Sequence, residues 1–245
     1  MVTCYDYSLA RLVEQTNLDV ILVGDSVGMV FAGLENTLPV TLEQIIYHTK
    51  VVRRGAPSKF IVADLPYLTY HLSVKDTLKN AGQIMKTTGA TAVKLEGGDN
   101  FRHIVKALVG ASIPVMGHLG LTPQSIHTLG GYGVQGKEEA KRKIILEEAK
   151  ILEEAGAFAL VLEMVPEDLA KEVTESITIP TIGIGAGRYC NGQVLVINDL
   201  LGLDERFNPK FLKKYANLSS DVKKALQTYD QEVKLHKFPQ KKNSF

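Results

Sequence analysis

Cysteine is almost missing from this chain. Of 245 residues only Cys4 and Cys190 are cysteines, far apart and without clustered His beside them. A disulfide framework and a thiolate zinc site are therefore excluded, and a reducing compartment is expected. An excess of one charge sign is missing too: 28 Lys and Arg against 27 Asp and Glu leave +1, which gives no general argument for nucleic acid or an anionic membrane as partner. No apolar run approaches the roughly 20 residues that cross a bilayer. The start, Met1-Val2-Thr3-Cys4-Tyr5-Asp6, lacks the basic and apolar regions of a signal peptide. What is present, 45% apolar and 22% charged residues, suffices for one sizeable core with no bias toward disorder.

The small net charge hides an asymmetry. From Asn208 onward nine Lys face Asp221, Asp230 and Glu232, a local +6, so the preceding 207 residues carry −5. In that basic segment Phe211, Leu212, Tyr215, Leu218, Val222, Leu226, Tyr229 and Val233 recur at helical spacing. The spacing predicts a helix with one buried stripe, packed on the body or on a neighbouring subunit, with its Lys residues as a solvated face. The last residues, 239–245, read as a loose tail.

The body has a regular rhythm. Short runs rich in Val, Ile and Ala occur at 2–4, 20–23, 60–63, 92–95, 114–117, 159–162, 180–184 and 193–197, each followed by an amphipathic segment. Gly89-Ala90 and Gly156-Ala157 mark helix ends by a left-handed Gly, and Ile113-Pro114 and Ile179-Pro180 do so with Pro. Near-continuous apolar strands alternating with helices mean a parallel sheet covered by helices, and eight units in a chain of this length predict an α/β (β/α)8 TIM barrel with a C-terminal helical extension. The barrel is expected over 1–207, with 208–245 a helix and basic tail of the same domain. A doubly wound open sheet is the competing architecture, but it seldom needs eight regular units. One stretch breaks the rhythm: between Ala107 and Gly136 there is no Asp, Glu, Lys or Arg, and the chain runs through Gly120, Pro123, Gly130, Gly131, Gly133 and Gly136. Such a loop serves either as a functional lid or as a plain crossover with a short helix.

In a parallel barrel the loops after the strands open on one face, which carries the active site. Asp6 follows the first run, Asp25-Ser26 the second, Asp64 the third, Lys94 and Glu96 lie in and after the fourth, His118 follows the fifth and Glu163 the sixth. Carboxylates crowded at one mouth repel unless a cation joins them. Asp25, Asp64 and Glu96 leave adjacent strands and can converge on one ion, and ligation by carboxylates alone favours Mg2+ or a similar hard cation. Each also has a plain reading as a turn residue or helix cap.

Lys94 and Glu96, two residues apart, share one side of a strand. Lys94 suits a substrate carboxylate or a developing oxyanion; a structural ion pair to Glu96 is the plainer role. A Schiff-base role is disfavoured because carboxylates keep the amine protonated. Glu163, in Leu160-Val161-Leu162-Glu163-Met164-Val165-Pro166, is placed for a general base with a pKa raised by desolvation, or for a cap of the helix opening at Pro166. His118 either contacts substrate or hydrogen-bonds within its loop. Gly183-Ile184-Gly185-Ala186-Gly187 is a weak phosphate-cradle signal that tight packing explains as well. A cation on carboxylates with a Lys and an apolar-flanked Glu suits proton abstraction beside the carbonyl of a 2-oxo acid, the enolate being stabilised in the site.

At these residues the sequence resembles the ketopantoate hydroxymethyltransferase family. The matching stretches are Thr3-Cys4-Tyr5-Asp6, Val23-Gly24-Asp25-Ser26, Thr37-Leu38-Pro39-Val40, Arg53-Arg54-Gly55-Ala56-Pro57, Ala63-Asp64-Leu65-Pro66, Val93-Lys94-Leu95-Glu96-Gly97-Gly98, Gly117-His118-Leu119-Gly120-Leu121-Thr122-Pro123-Gln124-Ser125 and Gly183-Ile184-Gly185-Ala186-Gly187. The resemblance implies a barrel of the phosphoenolpyruvate/pyruvate superfamily. It implies transfer of a hydroxymethyl group from 5,10-methylenetetrahydrofolate to 2-oxoisovalerate, giving 2-dehydropantoate in pantothenate synthesis. It also implies Mg2+ on Asp25, Asp64 and Glu96, substrate contacts at Asp25, Ser26, Asp64 and Lys94, and Glu163 as proton acceptor. The family is usually cytoplasmic and assembles as a homo-oligomer, a decamer of stacked pentamers. Departures from its pattern are Cys4, where a small residue such as Ala is common, and Asn191 and Asn198, where Asp and His are usual. Members usually carry a further segment before the first strand, so here a short first strand and a less covered barrel bottom are expected. Another superfamily lyase or mutase acting on a 2-oxo acid and a non-catalytic binding barrel remain the alternatives.

Overall fold

A computed structural model describes residues 1–245, which divide into two compact units, Met1–Val196 and Ile197–Phe245. The first unit runs β1 (Val2–Thr3), α1 (Tyr7–Glu14), β2 (Val20–Val23), α2 (Val27–Val30), α3 (Leu42–Gly55), β3 (Phe60–Asp64), α4 (Val74–Thr88), β4 (Ala92–Lys94), α5 (Arg102–Gly110), β5 (Val115–Gly120), α6 (Ile126–Leu129), α7 (Glu139–Glu154), β6 (Ala159–Glu163), α8 (Glu167–Ser176), β7 (Thr181–Ile184) and β8 (Gly192–Gln193). Each strand pairs in parallel with the next, in the order β1 to β8. Beyond β8 the chain meets β1 again: Val2 bridges Leu195 in parallel and Thr3 N–H donates to the Leu195 carbonyl at 3.1 Å. The sheet is thus closed as an eight-stranded barrel. A doubly wound sheet, whose strand order reverses, is ruled out.

Local chemistry sets the helix starts. Asp6 Oδ1 accepts from Leu9 N–H at 2.9 Å and caps α1. Thr41 and Gln44 form a reciprocal capping box at α3, two orphan donors being satisfied at once. The left-handed Gly89 ends α4 as its sequence position predicts. Below the sheet the Arg53 guanidinium donates to the carbonyls of Gly89, Pro57 and Lys59, tying the entries of β3 and β4 together.

The barrel interior follows the period of two of a strand. Leu22, Val62, Ala92, Met116, Ala159, Val161, Ile182 and Val194 form its apolar core. Two residues on, toward the strand ends, the same inward face carries Gly24, Asp64, Lys94, His118 and Glu163. Register aligns Asp64 with Lys94 and Gly120 with Glu163. An apolar floor under a polar mouth is therefore written into single strands.

Several expectations are adjusted. β5 extends to Gly120, so His118 lies within the strand instead of after it. The eighth strand is shorter than 193–197, because Ile197 already opens a helix. The uncharged stretch after β5 is a crossover holding a 3-10 turn at Pro123–Ser125 and the single helical turn α6.

The second unit holds α9 (Ile197–Leu200) and α10 (Leu218–Lys234). The predicted C-terminal helix exists but begins at Leu218, after Phe211, Leu212 and Tyr215. No residue of α10 is buried, and Leu226 is 63% exposed. Within this unit the expected stripe is not covered. No helix is long and apolar enough to cross a membrane.

Candidate active site

Six of the residues singled out above meet at the mouth formed by the ends of β2 to β6. Asp25, Asp64, Lys94, Glu96 and His118 are all buried. Lys94 Nζ lies 3.1 Å from Asp64 Oδ1, 3.9 Å from Glu96 Oε1 and 3.3 Å from His118 Nδ1. The plain ion pair to Glu96 thus exists, but the Asp64 contact is closer. Asp25 joins the group through its backbone, whose N–H donates to Asp64 Oδ2 at 2.9 Å. Ser26 Oγ is 2.7 Å from the Tyr5 hydroxyl. Gly24 makes this packing possible: a Cβ there would stand 2.9 Å from Ser26 Oγ and 3.3 Å from Asp64 Oδ2.

Glu163 closes the far side. Its Oε2 is 3.2 Å from His118 Nε2, while His118 Nδ1 is 3.4 Å from Glu96 Oε1. The Nε2 contact is an ion-pair distance without hydrogen-bond alignment, so Nε2 has no hydrogen-bond partner. The competing cap role for Glu163 fails, since α8 is entered at Pro166 without a side-chain cap. The apolar enclosure expected of Glu163 is only partial, because its side chain keeps 20% exposure. Asp6, by contrast, is consumed in capping α1.

The electrostatics follow from burying like charges together. Desolvation, then Asp64 and Glu96, push the Asp25 carboxyl well above its ordinary range. Desolvation also raises Asp64, with Lys94 opposing. Glu96 is desolvated too, yet hydrogen bonding and attraction to His118 hold it below the usual range. Burial acts against charge on Lys94, but Asp64, Glu96 and Asp25 outweigh it and keep the ammonium above its normal value. Burial and Lys94 likewise oppose charging His118, and the nearby Glu163 and Glu96 carboxylates overcome both, carrying the imidazole up to about 9.

These donors suit a hard divalent cation. Asp25, Asp64 and Glu96 offer only oxygens, and Asp64 Oδ1 is buried without an aligned hydrogen bond. No three His, Cys, Asp or Glu side chains form a ready-made cage.

Sequence reading missed three residues here. Gln124, just before α6, is buried against the carboxylates: its N–H donates to Glu96 Oε2 at 3.0 Å and its Nε2 to Asp25 Oδ2 at 2.8 Å. Tyr70, buried, donates its hydroxyl to Gln124 Oε1 at 2.9 Å. Tyr132 sits at the mouth, its hydroxyl pushed up by burial and by Asp25 and Glu163. Gln124 lies inside a recognised stretch but carries no charge to flag it; the two tyrosines had no pattern to betray them.

The profile of the family described as ketopantoate hydroxymethyltransferase matches residues 1–241. A protein of Leptospira interrogans called 3-methyl-2-oxobutanoate hydroxymethyltransferase is 57% identical over 100% of this chain and 93% of its own length. One of the same name from Clostridium botulinum is 54% identical over 100% and 89%. Among solved structures, phosphonopyruvate hydrolase complexed with oxalate and Mg2+ superposes with a TM-score of 0.62 at 12% identity, covering 99% of this chain and 87% of that one. For 2,3-dimethylmalate lyase, a member of the PEP mutase/isocitrate lyase superfamily, the TM-score is 0.61 at 13% identity, with 100% and 85% covered. These two support the fold alone.

Proposed function

Since the chain belongs to the ketopantoate hydroxymethyltransferase family, we propose that it transfers a hydroxymethyl group from 5,10-methylenetetrahydrofolate to 2-oxoisovalerate in a Mg2+-dependent reaction that consumes one water, giving 2-dehydropantoate and tetrahydrofolate for pantothenate synthesis. The observation that carries this reading is the separation of Glu163 from the other carboxylates. It alone stands outside the Lys94 cluster, partly open to the mouth and 3.2 Å from His118 Nε2, where a base must be to meet a substrate proton.

Asp25, Asp64 and Glu96 are the residues that would hold Mg2+. When bound, the cation supplies Lewis-acid polarisation to the carbonyl of a 2-oxo acid. Lys94, kept protonated by its carboxylate neighbours, presents a fixed positive charge toward the developing enolate oxygen. Its protonation argues against a Schiff base. Ser26, steadied by Tyr5, offers a hydroxyl to the substrate. Glu163 takes the C3 proton of 2-oxoisovalerate, and His118 behind it holds its carboxylate in place. The same groups would serve other 2-oxo acid enzymes of this fold, so the donor and acceptor rest on the family relationship. The exposed stripe of α10 supports a homo-oligomer as the working form, and a soluble cytoplasmic enzyme fits the two reduced, buried cysteines.

The test is deuterium exchange at C3 of 2-oxoisovalerate followed by product analysis with methylenetetrahydrofolate. Exchange that needs Mg2+ and disappears in Glu163→Gln is expected, with 2-dehydropantoate formed once the folate is added. No exchange by the intact protein overturns the reading.

A further inference from the structure

We propose that Gln124, itself oriented by Tyr70, is the positioning residue that presets Asp25 and Glu96 for the cation. The proposal rests on the assignment of those carboxylates as cation ligands.

Gln124 bonds across the mouth instead of within its own loop. Its backbone N–H reaches Glu96, after β4, at 3.0 Å, and its side-chain amide reaches Asp25, after β2, at 2.8 Å and the Leu65 carbonyl, after β3, at 3.0 Å. Single oxygens, Asp25 Oδ2 and Glu96 Oε2, are engaged in this way, which fixes the rotation of both carboxylates about their terminal bonds. Glu96 Oε1 remains turned toward Lys94 and His118.

The amide has one workable orientation. Nε2 faces two acceptors, the Asp25 carboxylate and the Leu65 carbonyl, while Oε1 accepts from the Tyr70 hydroxyl at 2.9 Å. A flip would set Oε1 against both acceptors. The Tyr70 hydroxyl is itself held, accepting from Glu96 N–H at 3.2 Å. Tyr70 therefore contacts the backbone of one carboxylate residue and the amide that steadies both. A residue needed only to anchor the β5–α7 crossover would not require bonds to two carboxylates from different strands. Partners of this kind fix ligand geometry, and their loss typically weakens metal binding 10- to 100-fold.

The experiment titrates Mn2+ into the full chain and reads the free ion by electron paramagnetic resonance. Gln124→Met keeps the volume without the amide, and Tyr70→Phe keeps the ring without the hydroxyl. Mn2+ affinity is expected to fall roughly 10-fold or more in Gln124→Met and less, in the same direction, in Tyr70→Phe. The Mg2+ concentration for half-maximal rate should rise accordingly, with kcat at saturating Mg2+ changing far less. Affinities within twofold of the parent in the variants overturn the proposal, even if thermal stability drops, because that marks a loop anchor. If Gln124→Met does not fold, Tyr70→Phe decides on the same criterion. Absence of Mn2+ binding by the unmodified chain removes the cation assignment itself, and this proposal with it, whereas binding without the predicted weakening removes only the proposal.

Discussion

His118 Nε2 lies 3.2 Å from Glu163 Oε2 while the opposite ring nitrogen lies 3.4 Å from Glu96 Oε1. One imidazole thus joins the partly exposed Glu163 carboxylate to the buried cluster behind it. The ring bridges β4, β5 and β6, and its protonation is coupled to folding.

That coupling has a sign. His118 titrates near 9 in the folded chain, against about 6.5 unfolded. A group with a raised folded pKa stabilises fully below the unfolded value and ceases to do so as pH rises through the folded one. Stability of the cation-free protein should therefore fall between about pH 6.5 and 9, by on the order of 3 kcal/mol from this group. Denaturant unfolding in EDTA across that range measures it. In His118→Gln this part of the slope should vanish, and an unchanged slope would show that His118 is not its source.

Lys94 is the only ammonium among Asp25, Asp64 and Glu96 within the buried cluster. Replacing it by Met leaves buried carboxylates without that partner, a loss on the order of 3–5 kcal/mol. Lys94→Met should unfold well below the parent temperature in EDTA and recover part of the difference in Mg2+. Equal melting temperatures for the two proteins would contradict the electrostatic account.

Gly120 ends β5 at φ +94°, and a Cβ there would run into the Glu163 carbonyl and Val165. Gly120→Ala must therefore both strain its own backbone and shift Glu163. We expect a cost of roughly 2 kcal/mol and a fall in C3 deuterium exchange steeper than the loss of folded protein explains. Normal exchange per folded molecule would show that Glu163 tolerates the displacement.

The legible part of the fold was what repeats along the chain. Apolar runs at eight places, with Gly89 and Gly156 ending helices, were enough for a parallel barrel, because strand burial on both faces leaves a near-continuous apolar signature. Asp25, Asp64, Lys94, Glu96 and Glu163 were legible for a related reason: each is an ionisable group where an apolar run stops. Asp6 sits at such a place as well and turned out to be a helix cap, since strand-end position alone does not say whether a carboxylate turns toward the mouth or back onto a helix. α10 shows another limit. Its spacing predicted an apolar stripe, which is present, but spacing carries no information about what covers it.

The sequence by itself determined the architecture and the list of chemical groups, because strand periodicity and helix punctuation act over a few residues and repeat. Only the tertiary structure decided which groups touch. The 3.1 Å approach of Lys94 to Asp64, the placement of His118 inside β5 between two glutamates, and the reach of Gln124 to Asp25, 99 residues away, depend on strand register and barrel closure. Those are set by the packing of all eight strands together, and no local stretch of sequence contains them.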